Sequence, residues 1–187
     1  RSDCGCHTGG RSGWTQAWRG PLRAALDLLR DGAREVFEEK AAPILKDPWA
    51  ARDGYIEVVL DRSPQTVSRF LAAHAARALA PAEEVQALRL LELQRHAMLM
   101  YTSCGWFFND LAGLETVQVL RYAARTLELA KEAGGPDLSA AFLAALAEAR
   151  SNDPQEGDGR ALFERRVLPA RADALTAASR HGLASIV

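Results

Sequence analysis

The stretch from Arg95 to Gln118, RHAMLMYTSCGWFFNDLAGLETVQ, holds the chain's densest set of side chains able to do chemistry. A helix-like apolar run ends there in His96, Tyr101, Cys104, Gly105, Trp106, Phe107, Phe108, Asn109 and Asp110, and a new helical pattern begins at about Leu114. Aromatic faces beside amide and carboxylate groups suit a sugar or other polyol. The rings offer apolar faces for stacking, and the polar arms hold hydroxyls at fixed positions. The same residues also suit an aromatic wedge plugging the end of a helical bundle. Trp14, Gln16, Trp18 and Arg19 form a second polar–aromatic group. At helical spacing Trp14 and Trp18 share a face, and the preceding glycines would let backbone approach a ligand closely. Trp14 is thus a candidate sugar platform, and burial in the core is expected for at least one of the two indoles.

Cys4-Gly5-Cys6-His7 is the string most like a metal site. Thiolates and imidazole are the ligands zinc prefers, and a closed site needs four. Cys104 or His96 would complete the set, although the one-residue gap between the thiols is tighter than the usual two. The alternative is a glycine-rich loop with small buried thiols. His96 lies four residues after Glu92 at the edge of an apolar face, a position that fits a hydrogen-bonded core histidine or a group with a chemical role. His74 and His181 look like surface or helix-end histidines. Asn109 and Asp110 are placed to cap the next helix or to meet ligand hydroxyls. Asp110 with Glu115 is the one conceivable carboxylate pair, and both fit helix N-terminal positions where negative charge is favoured. No nucleophile elbow, phosphate-binding loop, zinc-protease helix or dinucleotide fingerprint is present.

These groups need helices to position them. Pro21 suits a helix's first turn, and Leu22, Leu26, Leu29, Val36 and Phe37 carry a helical pattern to about Leu45, with Gly32 expected to weaken or kink it. Asp47-Pro48 and Ser63-Pro64 are cap-then-proline starts for two more helices. The first of these would bury Trp49, Tyr55, Ile56, Val59 and Leu60. Pro81 opens a long helix to Met100, and Leu114 to Ala133 forms another, ended by Gly134-Gly135-Pro136. A short alanine-rich helix over 137–150, the polar loop SNDPQEGDG at 151–159 and a last helix to about Ser179, kinked at Pro169, complete the chain. The fold class is all-α: a bundle of six to seven helices with a glycine-rich N-terminal loop.

With 187 residues the chain reads as a single domain, 1–187. Its 23 basic and 24 acidic side chains give a net charge of −1, which argues against nucleic acid as a partner. No run of apolar residues is long enough for a membrane span. Three cysteines fit no disulfide framework, so a reducing cytoplasm is the expected compartment. The opening RSDCGCHTGG looks cut from something longer.

Several long strings, taken together, resemble a known family: SDCGCHTGG, GWxQxWR and PLRxAL near the start; DPWxARDxYIEVxLDRS in the middle; RHAxLMYTSCGWFFxD followed by GxETVQVLRYAAR; and DGRALFE near the end. They resemble the helical domain of unknown function that follows the catalytic barrel in a subgroup of glycoside hydrolase family 57, in proteins labelled α-amylase or α-mannosidase-like. The resemblance implies a parent glycoside hydrolase or glucanotransferase whose barrel holds the catalytic glutamate and aspartate. None of the barrel motifs is present, so no catalytic residue is assigned to this chain. The helical domain of such enzymes packs on the barrel of the same parent chain and helps wall the sugar cleft. Related members offer an S-D-W type turn to the sugar. Ser103-Cys104-Gly105-Trp106 is its counterpart here, with Cys104-Gly105 where a carboxylate would stand, so the polar role passes to Asp110. Asn109 also stands where similar proteins carry aspartate.

The expectation is therefore an accessory helical domain bordering an α-glucan cleft through Trp14, Trp106, Asn109 and Asp110. Two alternatives stand beside it. One is a module stapled by zinc through Cys4, Cys6, His7 and Cys104. The other is a purely structural interaction domain without sugar contact.

Overall fold

A computed structural model describes residues 10–170. Cys4, Cys6, His7 and His181, and the part of the expected last helix beyond Ala170, lie outside the described residues. Among the described residues the chain is all helix and loop, with only two isolated antiparallel bridges, Leu45 with Ala75 and Arg150 with Asp158.

Helix α1 (Arg19–Ala41) organises the bundle. Leu22, Ala25, Leu26, Leu29, Ala33, Val36, Phe37 and Ala41 recur every three or four positions and are all buried, so they form one stripe. That stripe packs on α5 (Pro81–Leu99), α6 (Leu114–Glu132) and α7 (Ser139–Leu146). Gly32 does not kink α1. A methyl group there would stand 3.0 Å from both δ-carbons of Leu138, so the glycine leaves the gap that Leu138 fills. The helix also stops at Ala41, short of Leu45: Ala42 still has helical backbone and bonds Glu38, but Pro43 has no amide hydrogen to continue the ladder.

The cap signals act as expected. The Asp47 carboxylate accepts from the Trp49 and Ala50 amides at the start of α2 (Pro48–Gly54). Ser63 accepts from Thr66 at the start of α4 (Pro64–His74). The single helix expected after Pro48 is broken at Tyr55, and α3 (Ile56–Leu60) follows. Tyr55 and Val58 turn inward at this break, while Ile56 and Leu60 face outward, against the sequence expectation. α5 is buried on several sides, through Ala87, Leu90, Leu91, Leu93, Gln94 and Ala97, because it packs against both α1 and α6. Gly134, at φ +82°, ends the turn after α6, and the Gly135 amide closes it on the Ala130 carbonyl. The last described helix, α8 (Gly159–Leu162), is capped by Asp158 and widens into a π turn (Phe163–Val167) just before Pro169, which has no amide hydrogen to continue the ladder.

Candidate site at the α5–α6 junction

The aromatic cluster sits where α5 ends. Thr102 is extended, and Ser103–Trp106 then forms a single 3-10 turn. Two contacts pin that turn on α6. The Thr116 hydroxyl donates to the Gly105 carbonyl at 2.9 Å. A Cβ at Gly105 would come within 2.2 Å of Val119 Cγ2, so only glycine lets the turn lie this close. Trp106 is half-buried and turned toward α1, with the Arg23 guanidinium 5.8 Å from its ring centre. Phe107 and Phe108 meet edge to face at 5.3 Å and stay 72% and 43% exposed. Arg19 donates to both of their carbonyls at 3.3 Å, tying the start of α1 to this turn.

The Asp110 carboxylate is buried and turned inward. It accepts from the Ala112 amide at 2.8 Å, the Ser151 hydroxyl at 2.8 Å and the Asn152 amide at 2.6 Å. Asn152 extends the tie. Its side-chain oxygen accepts from the Thr15 amide at 2.9 Å, and its side-chain nitrogen donates to the carbonyls of Thr15 and Asn109, each at 2.9 Å. Three segments distant in sequence, 14–19, 103–110 and 151–153, are thus closed into one unit. Sequence reasoning read 151–159 only as a polar loop and missed Ser151 and Asn152. Their available signal was type: serine and asparagine side chains readily bond backbone groups in turns.

Trp14 joins the same unit by a different route from the one expected. Residues 11–14 form a turn, with Gly13 at φ +85° and the Trp14 amide on the Arg11 carbonyl, and the helix begins only at Arg19. Trp14 and Trp18 therefore share no helical face. Trp18 is buried in the core, as one of the two indoles was expected to be, and Trp14 is half-buried under the Arg11 guanidinium at 5.7 Å. Gly10 fits between Trp14 and Asn109, since a methyl there would lie 3.2–3.3 Å from both side chains. Trp14, Trp106, Asn109 and Asp110 are brought together through these ties. Among the described residues, Trp18 Nε1, Arg19 Nε, Trp106 Nε1 and Asn109 Oδ1 are buried here without a hydrogen-bond partner.

A second polar cluster lies around Glu92. It accepts from Tyr55 at 2.9 Å, Arg62 at 2.6 Å and Arg95 at 3.1 Å, beside a hollow of about 540 Å³ that His96 and Arg125 also line. Burial works to raise the Glu92 carboxyl pKa, and the bonds from Arg62, Tyr55 and Arg95 outweigh it, leaving the pKa lowered. His96 Nδ1 donates to the Glu92 carbonyl at 2.9 Å, and its ring meets Tyr122 edge-on. Burial is the main cause of its lowered pKa. His74, at the end of α4, stacks on Phe70 with ring centres 4.6 Å apart.

Cys104 is exposed with a free thiol, and among the described residues no group of three His, Cys, Asp or Glu is arranged to hold a metal ion. Asp110 and Glu115 serve other ends: the first ties loops, and the second lies in the first turn of α6. No helix among the described residues is long and apolar enough to cross a membrane.

Neither a curated protein nor a solved structure matches the chain. A family model described as a domain of unknown function (DUF3536) matches residues 14–187, a span that includes Trp14, Cys104, Trp106, Asn109 and Asp110 and begins after Cys4, Cys6 and His7. The chain belongs to that family.

Proposed function

We propose that the chain is the accessory helical domain of a family 57-like glycoside hydrolase or glucanotransferase, seated against the catalytic barrel of its parent and bordering an α-glucan cleft. The observation that carries this reading is the junction at Trp106. There, half-buried indoles sit beside polar atoms that have no partner among the described residues, Trp106 Nε1 and Asn109 Oδ1 among them. A buried polar group with no partner costs about 1–3 kcal/mol. A donor and an acceptor at the half-buried edge of the junction are what a hydroxyl group or an ordered water satisfies: Trp106 Nε1 and Asn109 Oδ1.

Each residue has its own part. Trp106 and Trp14 are the stacking platforms, and Asn109 is the hydroxyl partner. Asp110, whose oxygens are taken by Ala112, Ser151 and Asn152, holds Asn109 and Trp14 in register. The exposed apolar side chains of Phe107, Phe108 and Leu114 give the barrel a surface to cover. The exposed Cys104 thiol suits a reducing compartment, in keeping with a cytoplasmic enzyme.

The test is kinetic. In the full-length protein acting on a maltooligosaccharide, Trp106→Ala is expected to lower kcat/KM about tenfold, equivalent to about 1.4 kcal/mol of lost stacking. A folded variant with unchanged kcat/KM would remove Trp106 from the cleft and the reading with it.

A further inference from the structure

The Trp106 junction continues along α1. Arg23, Asp27, Arg30 and Arg34 recur every three to four residues on that helix, and each of the two arginines nearest the junction meets aromatic rings. Arg23 lies 5.0 Å from the ring centre of Tyr101 and 5.8 Å from that of Trp106. Arg30 lies 5.8 Å from the ring centre of Tyr101 as well. Beyond Arg30, a hollow of about 180 Å³ opens between α1, α2 and α5, lined by Arg30, Arg34, Trp49, Arg52, Gln94 and Tyr101 among others. Trp49 stands at its far end, 37% exposed, with Arg52 5.6 Å from its ring centre. Tyr101 lines this hollow and shares the Arg23 guanidinium with Trp106, which links the hollow to the junction. From Arg23 to Arg34 the helix alone advances about 16 Å at 1.5 Å per residue.

The charges on this track are paired in place. Asp27 bridges Arg23 at 3.9 Å and Arg30 at 2.8 Å, and also accepts the Tyr101 hydroxyl at 2.6 Å. Asp31 pairs with Arg30 at 2.9 Å, and Asp53 with Arg52 at 2.8 Å. Only Arg34 makes no ion pair among the described residues. A polyanion needs a clear excess of positive charge, and this near-neutral track lacks one. Adjacent guanidinium and carboxylate groups instead present donors and acceptors side by side, which matches neighbouring hydroxyls on an uncharged ring, and the aromatic faces between them match its apolar side.

Resting on the glycan reading above, we propose that the Trp49 hollow is a second glycan subsite, remote from the junction, and that the α1 track connecting it to Trp106 selects long, uncharged, linear glycan chains over short ones.

Calorimetric titration of the full-length protein with maltotriose and with maltoheptaose tests this. The wild type is expected to bind the longer chain at least about fivefold more tightly. Trp49→Ala is expected to weaken maltoheptaose binding about tenfold and leave maltotriose unchanged, while Trp106→Ala weakens both. Because Trp49 packs edge-on against Phe37, circular dichroism checks the fold. If Trp49→Ala is unfolded, Arg34→Gln on the exposed helix surface carries the same test with about a threefold loss for maltoheptaose alone. A folded Trp49→Ala variant, or in its place Arg34→Gln, that binds maltoheptaose like the wild type overturns the subsite and leaves the reading of Trp106 standing. A wild type that binds neither sugar overturns both. Preferential binding of oligothymidylate or heparin over maltoheptaose, lost in Trp49→Ala, overturns the neutral-glycan assignment in favour of a polyanion track.

Discussion

The cleft at Glu92 and the junction at Trp106 both gather polar side chains, and they treat them in opposite ways. Around Glu92 the charges are answered within the chain: Arg62 and Arg95 by Glu92, Arg125 by Glu128 and Glu132, and Arg89 by Glu132. Its hollow is the larger of the two described along α5, yet the groups lining it are closed on one another. The junction has less charge and more backbone ties, and it still leaves polar atoms of Trp18, Arg19, Trp106 and Asn109 without partners among the described residues. Size of hollow therefore does not separate a binding site from a structural network here. In the proposed function the binding site is placed by unanswered hydrogen-bonding capacity instead, because a group whose needs are met internally gains little from a ligand.

The sharpest way to break this comparison is to loosen the junction and leave the Glu92 cleft alone. Gly105→Ala forces a methyl group to within 2.2 Å of Val119 Cγ2, on a β-branched side chain with little rotamer freedom in a helix. Stability is expected to fall by about 3 kcal/mol, as overpacking commonly costs 1–3 and the Thr116 bond is strained as well. Pairing it with Val119→Ala should recover a large part of the loss, a non-additivity expected for residues in contact. Equal losses in Gly105→Ala with and without the Val119 change would mean the turn is not held by this contact.

Asp110→Ala comes next. It strips an acceptor from Ala112, Ser151 and Asn152 at once, at a cost of about 2 kcal/mol. It should also free the 14–19 segment, which hangs on Asn152. Hydrogen exchange at the Thr15 amide reads this directly. Protection at Thr15 equal to the wild type's would show that Asn152 stays in place without Asp110.

How much of this was legible beforehand follows from the range of the interactions. Caps and stops are local, so Asp47, Ser63 and Gly134 announced their helices. The stripe on α1 was equally plain, because its period repeats over many residues. Gly32 was misread as a weak point because its meaning lies in Leu138, more than a hundred residues away. The break at Tyr55 was missed for the same reason: its hydroxyl reaches Glu92 on another helix. The aromatic cluster was legible as a composition anomaly, whereas the inward turn of Asp110 was not, since Ser151 and Asn152 that claim it carry no pattern linking them to it.

On the cleft side, Glu92→Gln removes a charge while keeping an acceptor for Tyr55. Arg62 and Arg95 are 57% and 36% exposed and are rehydrated when their partner is lost, so a decrease of about 1 kcal/mol is expected. Under the proposed function, kcat/KM of the full-length protein on a maltooligosaccharide is expected to be unchanged. A loss of turnover larger than the loss of stability would move the functional site to Glu92 and reverse the comparison.

The smallest effect is the most specific to that cleft. His96 is neutral-favoured in the folded chain: its pKa is lowered from 6.5, first by burial, with the Arg95 and Arg125 charges adding to the shift and Glu92 opposing it. Above pH 6.5 both folded and unfolded states carry a neutral ring, and the stability contribution is complete. As the pH falls through 6.5 toward the lower folded value, the unfolded state takes up the proton first, and stability is lost. One proton sets a ceiling of about 1.4 kcal/mol per pH unit on the slope. Urea midpoints between pH 8 and 5 should fall more steeply for the wild type than for His96→Gln, and the difference between the two curves cancels the contribution of the other histidines. Parallel curves would mean that the ring is as accessible to protons folded as unfolded, and that the closed character assigned to the Glu92 cluster does not extend to its histidine.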